Sequence, residues 1–142
     1  MQQYFKRFGG IQDYLKSVVE EARAKGYTET ILGRRRYLPD LSSENRARRE
    51  VAERMALNAP IQGSAADIIK VAMRNVAVTM KKDGFNSRLL LQVHDELIFE
   101  IASGEEARLT EMVRDEMQSA VSLSLPLSVN IGIGSSWDLA AH

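Results

Sequence analysis

Leu89-Leu90-Leu91-Gln92-Val93-His94-Asp95-Glu96-Leu97-Ile98-Phe99-Glu100-Ile101 decides the fold of this chain. Two apolar runs, Leu89 to Val93 and Leu97 to Ile101, have strand length and strand composition. The polar triplet between them, His94-Asp95-Glu96, is a natural hairpin tip. Both strands are apolar on both sides, which predicts a rigid, buried base beneath that tip. Neighbours on an extended strand point to opposite faces, so two adjacent carboxylates can address one ion only at a turn. Asp95 and Glu96 stand at the expected turn, where they can hold a divalent cation over a groove. Mg²⁺ takes about six oxygens, commonly one or two carboxylates with water and substrate phosphates. His94 can orient a ligand or touch a phosphate. Taken alone, a bare Asp-Glu pair is far more often a solvated acidic turn, and it is the apolar strands on either side that favour the metal reading.

Outward from the hairpin, the pattern alternates helix and strand. Residues 3–25 carry Tyr4, Phe8, Ile11, Leu15, Val18, Val19 and Ala22 at helical spacing, with Gly9-Gly10 as a break near the start and Gly26 as the stop. Tyr27 to Leu38 reads as an arginine-rich hairpin with Gly33 near its turn and Pro39 closing it. Ser42 or Ser43 is expected to cap a second helix that runs to about Leu57. Pro60 lacks a backbone donor and should kink or break the helix there. A third helix is then expected from Gln62 to Lys82, with Ala65, Ile68, Ile69, Ala72, Val76 and Met80 inward and Asp83-Gly84 as its stop.

Beyond the central hairpin, Ser103-Gly104-Glu105-Glu106 has the pattern of a capping box. The helix it opens should bury Leu109, Met112, Val113, Met117 and Ala120. After Pro126, Leu127 to Ile133 alternates as a last strand would. The expected fold class is α+β: a small, mostly antiparallel sheet, made of the hairpin plus one further strand, packed against helices. A long N-terminal helix and the arginine-rich hairpin complete it. No repeat or linker is visible, so residues 1–142 read as a single unit.

Composition narrows the class. The chain has 142 residues, 44% of them hydrophobic and 27% charged, as in a soluble globular domain. It has no cysteine, which excludes disulfides and thiolate metal sites. No apolar run approaches the roughly 20 residues that span a bilayer, and Met1 to Phe8 lack the apolar core of a secretory signal. A soluble intracellular protein without membrane partners is expected. The zero net charge hides an asymmetry. Residues 1–82 hold 16 Lys/Arg against 9 Asp/Glu, a net of +7, whereas residues 83–142 hold 3 against 10, a net of −7. One half suits a polyanion and the other presents acids.

Arg54, Asn58 and Gln62 are spaced four apart, so a helix puts them on one face. All three donate hydrogen bonds. Every base pair offers acceptors in the minor groove, with little sequence information, so such a stripe suits a protein that holds any duplex. Arg34, Arg35, Arg36, Arg46, Arg48 and Arg49 suit phosphates, which give affinity without specificity. Glu29, Asp40, Glu44, Glu50 and Glu53 lie among them and can neutralise part of the effect.

Together these residues resemble a family. Gly33-Arg34-Arg35-Arg36-Tyr37-Leu38-Pro39-Asp40, then Glu53-Arg54, then Asn58-Ala59-Pro60-Ile61-Gln62-Gly63-Ser64-Ala65-Ala66-Asp67-Ile68, resemble the C-terminal palm region of bacterial family A DNA polymerases. Gln92 to Leu97 resembles that family's third catalytic motif, and Gly132-Ile133-Gly134 through Trp137-Asp138 to His142 is similar to its C-terminus. The resemblance implies that Asp95 is a catalytic, metal-binding aspartate, Glu96 its acidic neighbour in the active site, and His94 a histidine near the primer end. It implies that Arg54, Asn58 and Gln62 hold primer–template DNA from the minor-groove side, and that Arg36 lies near the primer strand. The implied reaction is attack of a primer 3′-hydroxyl on the α-phosphate of a dNTP, assisted by two Mg²⁺, in DNA replication or repair, in the cytoplasm of a bacterium or a phage-infected cell.

The family's second catalytic aspartate, in a motif resembling Asp-Tyr-Ser-Gln, is not in this sequence, nor is the fingers helix that grips the triphosphate. Residues 1–26 are therefore expected to be a residual fingers helix and 27–142 part of the palm. An upstream or separate segment is expected to complete the active site. The chain alone is expected to polymerise weakly or not at all, and to self-associate through an unpaired apolar sheet edge. The alternative is a non-catalytic duplex DNA-binding fragment. A metal-dependent nuclease would need further carboxylates or histidines, and the chain has only His94 and His142.

Overall fold

The computed structural model describes residues 9–140, which pack as two compact units, one ending at Asp67 and the other beginning at Ile68. In the first unit, α1 (Gly9–Lys25) leads into the antiparallel pair β1 (Tyr27–Glu29) and β2 (Arg35–Tyr37). Residues 3–8 of the expected first helix lie outside the described residues. Gly26, at φ 78°, ends α1, and its amide donates to the Ala22 carbonyl at 2.8 Å. A 3-10 turn (Pro39–Ser42) follows β2. Small and branched residues close this unit: Ala22, Leu38, Leu41, Ala52 and Ala56 form its core.

A single helix, α2 (Arg46–Lys82), stands where the sequence suggested two. Pro60 lies inside it. A proline removes one backbone donor from the ladder, but the neighbouring turns keep theirs, and buried Ala52, Ala56 and Ala59 anchor the helix on the N-terminal side of that gap, with Ile69 and Ala72 buried beyond it. Its cap is also not the one expected. Asn45 Oδ1 accepts the amides of Ala47 and Arg48 at 3.0 and 3.3 Å, while the Ser43 hydroxyl only accepts the amide of Asn45 at 3.2 Å. At the other end the Phe85 amide reaches back to the Met80 carbonyl at 3.0 Å across Gly84, a Schellman closure.

The second unit is built on the later turns of α2. Val76 and Met80 form a core with Leu109 and Val113 of α3 (Glu106–Gln118), against which Phe85, Leu89, Phe99, Met112 and Met117 pack. Of the inward stripe expected on α2, Ile69, Ala72, Val76 and Met80 are buried, and Ala65 is exposed. The antiparallel pair β3 (Arg88–Val93) and β4 (Glu96–Glu100) forms the predicted hairpin, in register Leu89↔Phe99, Leu91↔Ile98 and Val93↔Glu96. A register shift between Leu89 and Leu91 leaves Leu90 as an extra residue.

Two expectations fail in this unit. The base of the hairpin is not buried on both sides: Leu90 is 53% exposed and Leu91 48%. Residues 127–133 form no strand, because a strand needs a ladder partner and β3 and β4 pair only with each other. Gly132 and Gly134 instead lie against the closing turn α4 (Trp137–Ala140), so closely that a Cβ on Gly134 would fall 2.7 Å from the Leu139 carbonyl carbon. The fold is a mixed one of helices with two small antiparallel hairpins, as the α+β reading required, without its third strand.

Candidate nucleic-acid interface and carboxylate tip

In the second unit the hairpin turn comprises His94 and Asp95 alone, since Glu96 already pairs with Val93 as the first residue of β4. His94 takes φ 52°, a left-handed conformation that short hairpin turns demand and that few side chains tolerate. The Gln92 side-chain amide donates to the His94 carbonyl at 2.8 Å and so braces the turn from within β3. His94, Asp95 and Glu96 are all exposed, and none of the three side chains has a hydrogen-bond or ion-pair partner among the described residues. Against expectation only Asp95 of the two acids stands in the turn, while Glu96 projects from the first position of β4, and both carboxylates keep free lone pairs. That hard-oxygen donor set fits Mg²⁺, which fills its other positions with water and phosphate oxygens. Among the described residues no group of three or more His, Cys, Asp or Glu gathers as a self-sufficient cage.

The root of the hairpin is held by Glu105, which lies between Ser103 and Glu106, the two partners of the expected capping box, and that box does not form. Glu105 precedes α3, but its side chain makes no cap bond to the helix. Instead its carboxylate turns back to β3. It accepts the amides of Asn86 and Ser87 at 2.9 Å each, and the Ser87 hydroxyl at 2.6 Å. The buried Ser87 hydroxyl in turn accepts the Ala102 amide at 2.9 Å, tying the end of β4 to the start of β3. The hydrogen bonds from Asn86 and Ser87 hold the Glu105 carboxyl down at about 2.

In the first unit, Arg54, Asn58 and Gln62 occupy successive turns of α2, all exposed and unpartnered among the described residues. The structure therefore places these three expected donors on one face. The arginines divide. Arg34 pairs with Asp67 at 2.8 Å, Arg35 with Glu29 at 2.6 Å and Arg46 with Glu50 at 2.7 Å, while Arg23 pairs with Glu53. Arg35 also lies over the Tyr27 ring, 4.5 Å from its centroid. Its pKa is raised, first by the hydrogen bond to Glu29 and then by that to Tyr37. Arg49 donates to the Ser43 carbonyl at 3.0 Å, and Arg36 has only the Met55 sulfur at 3.8 Å. Arg36, Arg48 and Arg54 are the expected DNA-binding arginines left without a carboxylate or carbonyl partner, whereas Arg49 has a local task as well.

Asp67, Thr30 and Gly63 bind the arginine-rich hairpin to α2, a role that neither the motif around Gly63 and Asp67 nor the charge pattern points to. A signal was present: Asp67 is a carboxylate beside Ala66, Ile68 and Ile69 in an apolar stretch of helix, and a buried carboxylate needs partners.

A family model described as DNA polymerase family A matches residues 1–139. The chain belongs to DNA polymerase family A. As a family A chain it is 63% identical to DNA polymerase I of Mycobacterium leprae over all 142 residues, which are 16% of that relative. It is 50% identical to DNA polymerase I of Bacillus caldotenax over 137 residues, covering 96% of this chain and again 16% of the relative. Among solved structures it is similar to the POL domain of Pol1 from M. smegmatis, in complex with DNA primer-template and dNTP. That likeness has a TM-score of 0.98 and 63% identity, and covers 100% of this chain and 25% of the other. This family A chain thus spans about one sixth of the length of its curated relatives. Among the described residues no helix is long and apolar enough to cross a membrane.

Proposed function

We propose that the chain is the palm part, with residues 1–26 from the fingers, of an enzyme that performs DNA-templated DNA synthesis. In this reading a nucleotidyl group passes from a dNTP to a primer 3′-hydroxyl. The observation that carries the reading is the membership of residues 1–139 in family A, together with two unpartnered carboxylates at a braced hairpin tip. Asp95 and Glu96 would hold Mg²⁺, which supplies charge neutralisation on the phosphates and activation of the attacking hydroxyl when bound. The chain's own residues bind and orient. Gln92 fixes the turn that presents Asp95, and Glu105 and Ser87 fix the root of the strand that carries it. His94 stands next to the carboxylates, where an imidazole can donate to a phosphate oxygen or the primer end. Arg54, Asn58 and Gln62 would take minor-groove acceptors of primer–template DNA, and Arg36, Arg48 and Arg49 its phosphates.

The chain supplies only part of an active site, because two carboxylates cannot alone bridge two cations and orient a triphosphate. An upstream or separate segment with a further aspartate and the triphosphate grip would complete it, in a cytoplasmic enzyme of replication or repair. Primer extension tests the reading. The chain alone should extend a primed template weakly or not at all. Set within the remainder of a family A polymerase domain, it should extend with Mg²⁺. There Asp95→Asn should cost on the order of 10²–10³-fold in kcat, the loss of several kcal/mol of charge stabilisation. Full extension by Asp95→Asn in that setting would leave the alternative, a duplex-binding fragment without the chemistry.

A further inference from the structure

A carboxylate in the middle of a helix is costly to bury unless it is fully partnered. Asp67 is only 8% exposed, and the turn of the arginine-rich hairpin supplies it with two donors. The Thr30 hydroxyl donates to its Oδ2 at 2.5 Å, and Arg34 Nε to its Oδ1 at 2.8 Å. The same hydroxyl accepts the Arg34 amide at 3.1 Å, so Asp67 is joined to a turn that is already closed on itself. Nearer the start of the helix, Ser64 Oγ accepts the Ile31 amide at 3.0 Å and the Gly63 carbonyl accepts Arg34 Nη2 at 3.1 Å. Gly63 permits the approach, since a Cβ there would stand 2.6 Å from Thr30 Cγ2. The base of the hairpin is held by buried Thr28 and by Leu38 in the core, but its strands are three residues each, β2 is exposed throughout, and the turn end rests on these bonds to α2. Such a two-stranded ribbon is marginal by itself. A small groove of about 80 Å³ runs between hairpin and helix, lined by Arg35, Arg36 and Gln62 among others. Donors of two different elements thus line one groove, and the seating of the turn on α2 bears on how they lie relative to each other.

We propose that Asp67 is a positioning residue for duplex binding: through Thr30 and Arg34 it seats the arginine-rich hairpin on α2, so that Arg36 and the Arg54–Asn58–Gln62 stripe meet the DNA as one rigid surface. This rests on the duplex-binding part of the proposed function and adds to it a latch that touches no DNA.

The test is the salt dependence of duplex binding, followed by fluorescence anisotropy of a labelled primed duplex with the full chain, with thermal unfolding measured alongside. Asp67→Asn removes a negative charge and frees Arg34, so electrostatics alone predicts tighter binding. The latch predicts the opposite: roughly 3- to 10-fold weaker binding, and a log–log salt slope shallower by about 0.9 for each phosphate that the protein ceases to neutralise. Gly63→Ala changes no charge and no donor, yet its methyl meets Thr30, so it should shift affinity and slope in the same direction. Adding Thr30→Ser removes the Thr30 methyl that obstructs it and keeps the hydroxyl, so the double variant should recover the wild-type slope. Should Asp67→Asn unfold, the Gly63→Ala and Thr30→Ser pair still decides. Asp67→Asn binding as tightly as wild type, or Gly63→Ala keeping its slope, overturns the latch and leaves duplex binding standing. A wild-type chain that binds no duplex overturns the duplex-binding reading itself, and the latch with it.

Discussion

Glu105 shows how much one side chain can be asked to do. Its carboxyl sits at about 2 instead of 4.5 because backbone and hydroxyl donors of Asn86 and Ser87 favour the charged form. A carboxyl whose pKa is lower in the folded chain stabilises it fully above about 4.5, and that contribution drains away as pH falls toward 2. Glu105→Gln should therefore melt below wild type at neutral pH, with the gap closing through that acid window. A gap that stays constant with pH would mean that shape, and not charge, is what matters. His94 offers a second check. Its left-handed φ suits glycine and penalises branched side chains, so His94→Val should cost about 1–2 kcal/mol in urea unfolding and His94→Gly should cost little or nothing. Neither feature could be read from the sequence. The pattern Ser103-Gly104-Glu105-Glu106 matched a capping box pairing Ser103 with Glu106, but the helix starts only at Glu106, and the intervening Glu105 finds its donors at the start of β3.

Elements were legible where periodicity and stop signals agreed, and illegible where they depended on a neighbour. Both hairpins, the stop at Gly84 and the buried positions Val76, Met80, Leu109 and Val113 follow from spacing alone. The break at Pro60 did not appear, since one missing donor does not outweigh a helix anchored by buried residues on both sides. The last strand did not appear because a pattern of alternation specifies a face and not a partner. The junction of α2 and α3 is where the second unit buries its largest side chains. Leu109→Ala there should cost about 2–5 kcal/mol, read from the urea midpoint, with the far-UV helical signal of the native state retained. A cost under about 0.5 kcal/mol would place the core elsewhere.

For the molecule as a whole, the uneven distribution of charge turned out to have structure within it. The basic half keeps Arg36, Arg48 and Arg54 without a carboxylate partner while committing Arg34, Arg35 and Arg46 to local pairs. The acidic half exposes apolar surface as well: Leu90, Leu91, Leu125, Trp137 and Leu139 are all open to solvent. An exposed apolar strand is a template for another chain. The isolated chain should therefore show concentration-dependent association in sedimentation velocity, and Leu90→Lys with Leu91→Lys should shift it toward monomer. A wild-type chain that sediments as a monomer at every concentration would refute this.

The crowded glycines carry a consequence for inheritance. Gly132 and Gly134 bear no chemical group, yet each faces backbone atoms of the closing turn that leave no room for a methyl, whereas Gly63 meets only the Thr30 side chain. In a library sampling every substitution, the columns of Gly132 and Gly134 should empty as thoroughly as a catalytic position does. A reader of that library alone would mark them as active-site residues. What selection guards there is vacant space.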